Sequence, residues 1–129
     1  MFDTLIIDWG SKRTGLAYLS SSLGVVIPFE KECHSNTIFK TIEEIIIKKN
    51  ITRIVIGRPT NFSWQDTNIS HETDKFSEEL SNLYPSIKII RVNENSSSKF
   101  ATDMGLKNKH SINHAAAVKI GEYYLNSLQ

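Results

Sequence analysis

Thr4-Leu5-Ile6-Ile7-Asp8-Trp9 is an unbroken apolar and β-branched run stopped by Gly10, the pattern of a strand covered on both faces of its sheet. Gly15-Leu16-Ala17-Tyr18-Leu19 and Gly24-Val25-Val26-Ile27-Pro28-Phe29 follow, separated by turn residues such as Ser20-Ser21-Ser22. Strands joined by turns this short run antiparallel, because a parallel neighbour needs a long crossover. The period then changes. Ile38, Ile42, Ile45 and Ile46 fall on one helical face, with Ser35 or Asn36 available as the cap. Ile51 to Gly57 predicts a further buried strand, and Ile69, Thr73, Phe76, Leu80 and Leu83 mark a second helix that Pro85 ends. Ile87 to Val92 predicts the fifth strand. A short helix is expected around Lys99 to Met104, and a last one from about Ile112 to Leu125. In that last helix Ile112, Ala116, Ile120 and Tyr123 would face inward, with Ser111 as cap.

The later strands are linked through helices and should lie parallel to the first by right-handed crossovers. A mixed five-stranded sheet, three antiparallel strands and then two parallel ones, with helices on its faces is the simplest closed α/β solution. At 129 residues, 40% hydrophobic and 22% charged, the chain suits one globular domain over 1–129. No repeat or low-complexity linker divides it, and Arg58 to Ser70 reads as one long loop. No apolar run approaches a membrane span of ~20 residues, and no secretory signal is apparent, so a cytoplasmic protein without membrane contact is expected. Cys33 is the lone cysteine. It permits neither an intrachain disulfide nor a thiolate cage, and a buried thiol is its expected state.

The chemistry is expected at one end of the sheet. Asp8 puts a carboxylate at the end of a buried strand, where an ionised group is costly unless compensated. Binding the amides of the following turn would be the plain use, and ligating a metal the functional one. Glu94, in Val92-Asn93-Glu94-Asn95, follows the fifth strand, beyond the carboxyl ends where open α/β sheets place their crevice. Facing carboxylates repel one another, and a hard divalent cation relieves that repulsion. Asn113 and His110, three apart at the start of the last helix, could share a side of it. A net charge of +1 decides nothing about partners. Position says more: Lys12 and Arg13 follow Asp8, Arg58 follows the fourth strand, and Lys107 and Lys109 precede the last helix. All fall in loops near the acidic end, where they could neutralise a phosphate backbone, with His110 beside them. Trp64 could stack on an unpaired base or close the edge of the core.

Asp8-Trp9-Gly10-Ser11-Lys12-Arg13-Thr14-Gly15-Leu16-Ala17 resembles the DxGxKRxGxA opening motif of the YqgF/RuvX family. That family is associated with Holliday junction resolution and with maturation of the small-subunit ribosomal RNA precursor. Val55-Ile56-Gly57-Arg58-Pro59 looks like its VxGxP segment, Asn93-Glu94-Asn95-Ser96-Ser97-Ser98 its DERxTT segment, and Ile112-Asn113-His114-Ala115-Ala116 its IDxxAA segment. The resemblance spans nearly the whole chain in order. It implies an RNase H-like fold and a nuclease site of three carboxylates holding Mg²⁺ or Mn²⁺. Asp8 and Glu94 carry over, whereas Asn113 stands where the family has Asp; His110, His114 or Asp103 would have to substitute for the lost charge.

The implied function is phosphodiester hydrolysis on structured RNA, at the 5′ end of pre-16S rRNA in pre-ribosomal particles, by a monomer or homodimer. The alternatives are a Holliday junction resolvase acting on branched DNA and an RNA-binding relic without catalysis. Asp8-x-Gly-Ser followed by Gly15 also resembles the first phosphate loop of actin-like ATPases, but those place nucleotide between two such domains, and this length allows one. An interaction module without chemistry is the remaining class.

Overall fold

A computed structural model describes residues 2–10, 12–31, 33–59, 68–94 and 109–127. The strands are β1 (Thr4–Asp8), β2 (Gly15–Ser20), β3 (Val25–Pro28), β4 (Arg53–Pro59) and β5 (Lys88–Glu94), and the helices α1 (Ile38–Lys49), α2 (Asn68–Leu83) and α3 (Lys109–Ser127). Among the described residues one sheet forms in the order β3-β2-β1-β4-β5. β1 is central: Ile6 pairs antiparallel with Ala17 of β2 and parallel with Val55 of β4. β4 in turn runs parallel to β5, with Val55 opposite Ile90. The expected meander followed by two parallel strands is therefore present.

Strand alternation divides the core into two layers. Leu5, Ile7, Leu16, Tyr18, Ile54 and Ile56 meet Ile38, Ile42 and Ile45 of α1 and Phe76 and Leu80 of α2. On the opposite face Ile6, Ala17, Leu19 and Val55 meet Ala117, Ile120 and Tyr124 of α3. Each fully buried Leu or Ile stabilises the fold by about 1.5–3 kcal/mol, so β1, covered on both sides, is the sheet's best-supported strand. α3 lies unusually close to the sheet. A β-carbon on Gly57 would run into the Ile120 side chain, and one on Gly121 would come within 3.0 Å of Val26 and 3.2 Å of Ile6. Small residues at these points bring the helix down onto β1 and β4.

Several boundaries differ from expectation. α3 begins at Lys109, so Ser111 lies inside it and does not cap it. Its inward stripe runs Ala117, Ile120, Gly121, Tyr124, a three-and-four step that turns Tyr123 outward to 55% exposure. Leu83, the last residue of α2, is 58% exposed beyond the covered sheet. Neither Ser35 nor Asn36 caps α1: a 3₁₀ turn over Ser35–Thr37 leads into it, and the Ser35 hydroxyl bonds elsewhere. β4 extends to Pro59 and β5 to Glu94, which shortens the expected Arg58 to Ser70 loop and places Glu94 in a strand. Cys33 is buried, as anticipated. The short helix at Lys99 to Met104 and Trp64 fall outside the described residues.

Candidate nucleic-acid and metal site

Asp8 ends β1, paired with Gly15 on one side and Gly57 on the other. Alternation puts it on the same face as Ile6, the face that α3 covers. Trp9 turns the opposite way. Its ring stacks on Phe76 at 4.5 Å between centroids, and Phe39 packs on Phe76 in turn. The strand end that carries Asp8 is thus pinned from behind by an aromatic cluster.

Glu94 is the last residue of β5, opposite Pro59. The ladder Asp8, Gly57, Val92 crosses three strands at one level, and Glu94 lies two residues further along β5. Two strand spacings across and two residues along separate the Asp8 and Glu94 backbones by roughly 12 Å. Both expected acidic residues therefore end strands at the carboxyl end of the sheet.

α3 brings the third position. His110 and Asn113 lie in its opening turns, ahead of the Ala117 and Ile120 that pack against the sheet. The start of the helix is fastened by His114. The Leu16 amide donates to Nδ1 of His114 at 3.0 Å, and Nε2 lies 2.8 Å from the Lys31 carbonyl. An amide can only donate, so Nδ1 is bare and Nε2 carries the proton given to Lys31. The ring is neutral, buried and packed edge-on to Phe29. It lengthens the β2 ladder where β3 has already ended. Both nitrogens are engaged, so His114 does not replace the missing carboxylate; it anchors the helix one residue from Gly15, which pairs with Asp8. The sequence reading considered this residue only as a substitute ligand. Asp103 falls outside the described residues, and His110 is described by its place in α3.

The basic residues gather at the same end. Lys12 and Arg13 are exposed in the β1–β2 turn, which is tied to the chain entering α1. Ser35 donates its amide to the Lys12 carbonyl at 2.9 Å and its hydroxyl to the Gly10 carbonyl. Thr14 Oγ1 lies 2.7 Å from Ser35 Oγ, and the Thr14 amide donates to Cys33 at 3.0 Å. A β-carbon on Gly10 would strike the Arg13 carbonyl, so this turn tolerates only glycine there without shifting. Arg58 stands in β4 opposite Asn93, and Lys109 opens α3. Lys107 falls outside the described residues. Among the described residues no group of three His, Cys, Asp or Glu side chains gathers as a metal cage, and no helix is long and apolar enough to cross a membrane.

Comparison with known proteins bears on the family and the fold. The family described as RuvX, Holliday junction resolvase, matches residues 3–127. A protein of Flavobacterium johnsoniae named "Putative pre-16S rRNA nuclease" is 28% identical over 132 residues, covering 95% of each chain. One of the same name from a Sulfurihydrogenibium species is 33% identical over 129 residues, covering 95% of this chain and 88% of its own. Among solved structures, the fowlpox virus Holliday junction resolvase superposes with a TM-score of 0.65 at 12% identity, covering 98% of this chain and 99% of its own. Thermus thermophilus RuvC, bound to a Holliday junction substrate, gives 0.57 at 9% identity, covering 97% and 94%. These structural likenesses bear out the RNase H-like fold.

Proposed function

Because the chain belongs to the RuvX family of Holliday junction resolvases, we propose that it is a metal-dependent nuclease on structured nucleic acid, and that its substrate is the 5′ end of pre-16S rRNA in ribosome biogenesis. One observation carries the reading. Asp8 and Glu94, far apart in sequence, end two strands that flank β4, at the same end of one sheet. Carboxylates so placed are hard oxygen donors that fit Mg²⁺ or Mn²⁺, with Asp8 and Glu94 as the holding residues and Asn113 as a neutral neighbour. Such an ion, when bound, polarises a phosphodiester and lowers the pKa of water. The chain's own contribution is positional. Gly57 and Gly121 seat α3 against the sheet, His114 fixes where the helix starts, and the stapled β1–β2 turn holds Lys12 and Arg13 beside Asp8. Arg58 in β4 and Lys109 and His110 at the start of α3 are the further residues this reading assigns to phosphate contact.

Cleavage of a structured pre-rRNA fragment and of a four-way DNA junction, with Mg²⁺ and with Mn²⁺, tests this. Wild type should cut RNA in preference to the junction, and Asp8→Asn should reduce cutting at least 100-fold. Preferential cutting of the junction would make DNA the substrate, and equal activity in Asp8→Asn would remove the site.

A second reading follows from Asn113. With one negative charge fewer than the family pattern, the site holds a divalent ion less tightly, and the protein would bind RNA without cutting it. Inactivity of wild type together with cleavage by Asn113→Asp would establish this relic.

A further inference from the structure

The tie between the β1–β2 turn and the entry to α1 builds something that the acidic site does not use. Lys12, Arg13, His34 and Asn36 line an open cleft of about 480 Å³ at the Asp8 end of the sheet. We infer that this notch is a second nucleic-acid contact, taking the sugar-phosphate backbone of the strand whose neighbouring phosphate lies at Asp8. The inference rests on the nuclease reading and adds His34 and Asn36, from the α1 side, to the surface that holds substrate.

The backbone geometry explains why these side chains converge. Arg13 and His34 form an isolated antiparallel bridge. Its flanking bonds run from the Thr14 amide to Cys33 and from the Ser35 amide to Lys12, which makes Arg13 and His34 a non-hydrogen-bonded pair. Side chains in such pairs leave the same side at the closest cross-strand spacing. The Arg13 guanidinium and the His34 ring therefore both offer N–H donors on that side. Lys12 supplies a further ammonium, and the Asn36 amide a neutral donor. All four are exposed, and the turn that bears two of them is held to the other two by the Ser35 and Thr14 bonds. The notch is therefore set before a ligand arrives. It presents donors without a base-reading pattern, so it should accept backbone phosphates whatever the sequence.

A second cleft shows the contrast. Between α2 and β5, about 410 Å³ is lined by Asp74, Glu78 and Arg91, with Arg91 held by Asp74 at 2.8 Å. Its carboxylates repel phosphate. Size alone does not single out the notch; charge does.

The test is equilibrium binding of a labelled structured RNA and of a DNA duplex of the same length, as a function of salt. His34→Ala combined with Asn36→Ala should weaken both complexes about 10-fold, and adding Lys12→Ala should lower the salt slope by about one. Asn36→Asp, which truncates nothing, should weaken binding without altering the melt. Lys88→Ala removes a charge at the opposite end of the sheet and should change affinity less than about 2-fold. If wild type binds and the notch variants bind equally well, or if Lys88→Ala weakens binding as much as they do, the notch is refuted while the nuclease reading stands. If wild type binds neither nucleic acid, the nuclease reading falls and the notch with it.

Discussion

Replacing His114 by alanine tests how the helix bearing Asn113 is held. The substitution strips two partners at once. The Leu16 amide belongs to a fully buried residue and cannot be rehydrated, so losing its 3.0 Å acceptor costs the full penalty of an unsatisfied buried group, about 1–3 kcal/mol. The Lys31 carbonyl, at 2.8 Å in a partly buried contact, belongs to an exposed residue and regains water; its loss adds about 0.5 kcal/mol. The edge-on contact with Phe29, centroids 6.1 Å apart, contributes about another 0.5–1.5 kcal/mol. The sum is about 2–5 kcal/mol against a usual stability of about 5–15. In urea unfolding with a slope near 2 kcal/mol/M, the midpoint should fall by about 1–2.5 M. His114→Gln can offer an oxygen to Leu16 and should recover part of the loss. A midpoint shift below about 0.3 M for His114→Ala would refute the reasoning, because no buried amide could then have been orphaned.

Gly57→Ala should cost about 1–3 kcal/mol, because its β-carbon meets Ile120 in a closed layer; adding Ile120→Val should restore part of that, and additive losses in chemical denaturation would argue against direct contact. Asp3 governs an acid response: burial raises its carboxyl pKa, but the bonds from the Ser21 hydroxyl and amide outweigh this and leave it below 3.8. A folded pKa below the unfolded one gives stability that is present above 3.8 and lost as the pH falls through the lower, folded value. Asp3→Asn should therefore flatten the acid limb of a stability-versus-pH curve, and an unchanged limb would count against the Ser21 contacts.

Much of this was legible because the sheet announces itself. β1 is buried on both faces, so its apolar run is continuous, and short turns force β2 and β3 to be antiparallel. Helix ends were less readable. Lys109 and His110 extend α3 without any apolar signal, and the inward residue is Tyr124 and not Tyr123 because a single residue of phase decides between two tyrosines. Ser35 looks like a cap in sequence, yet its hydroxyl is claimed by Gly10 and Thr14, residues more than twenty positions away. The strand order that would bring Asp8 and Glu94 to one end of the sheet, β1 and β5 flanking β4, was open to sequence reasoning and is present. His114 could not be assigned, since its two partners, Leu16 and Lys31, lie far from it in sequence. The notch was half visible: Lys12 and Arg13 adjoin Asp8, whereas His34 and Asn36 join them only through the bridge to Arg13.

Whether Asp8 and Glu94 hold one divalent ion between them is answered most directly by calorimetric titration of Mn²⁺ into wild type, Asp8→Asn and Glu94→Gln. Wild type should bind, and each variant should lose affinity at least 10-fold, since removing either carboxylate takes away a charged oxygen ligand. Equal affinity in all three proteins would mean that the two strand ends serve the fold and not a metal.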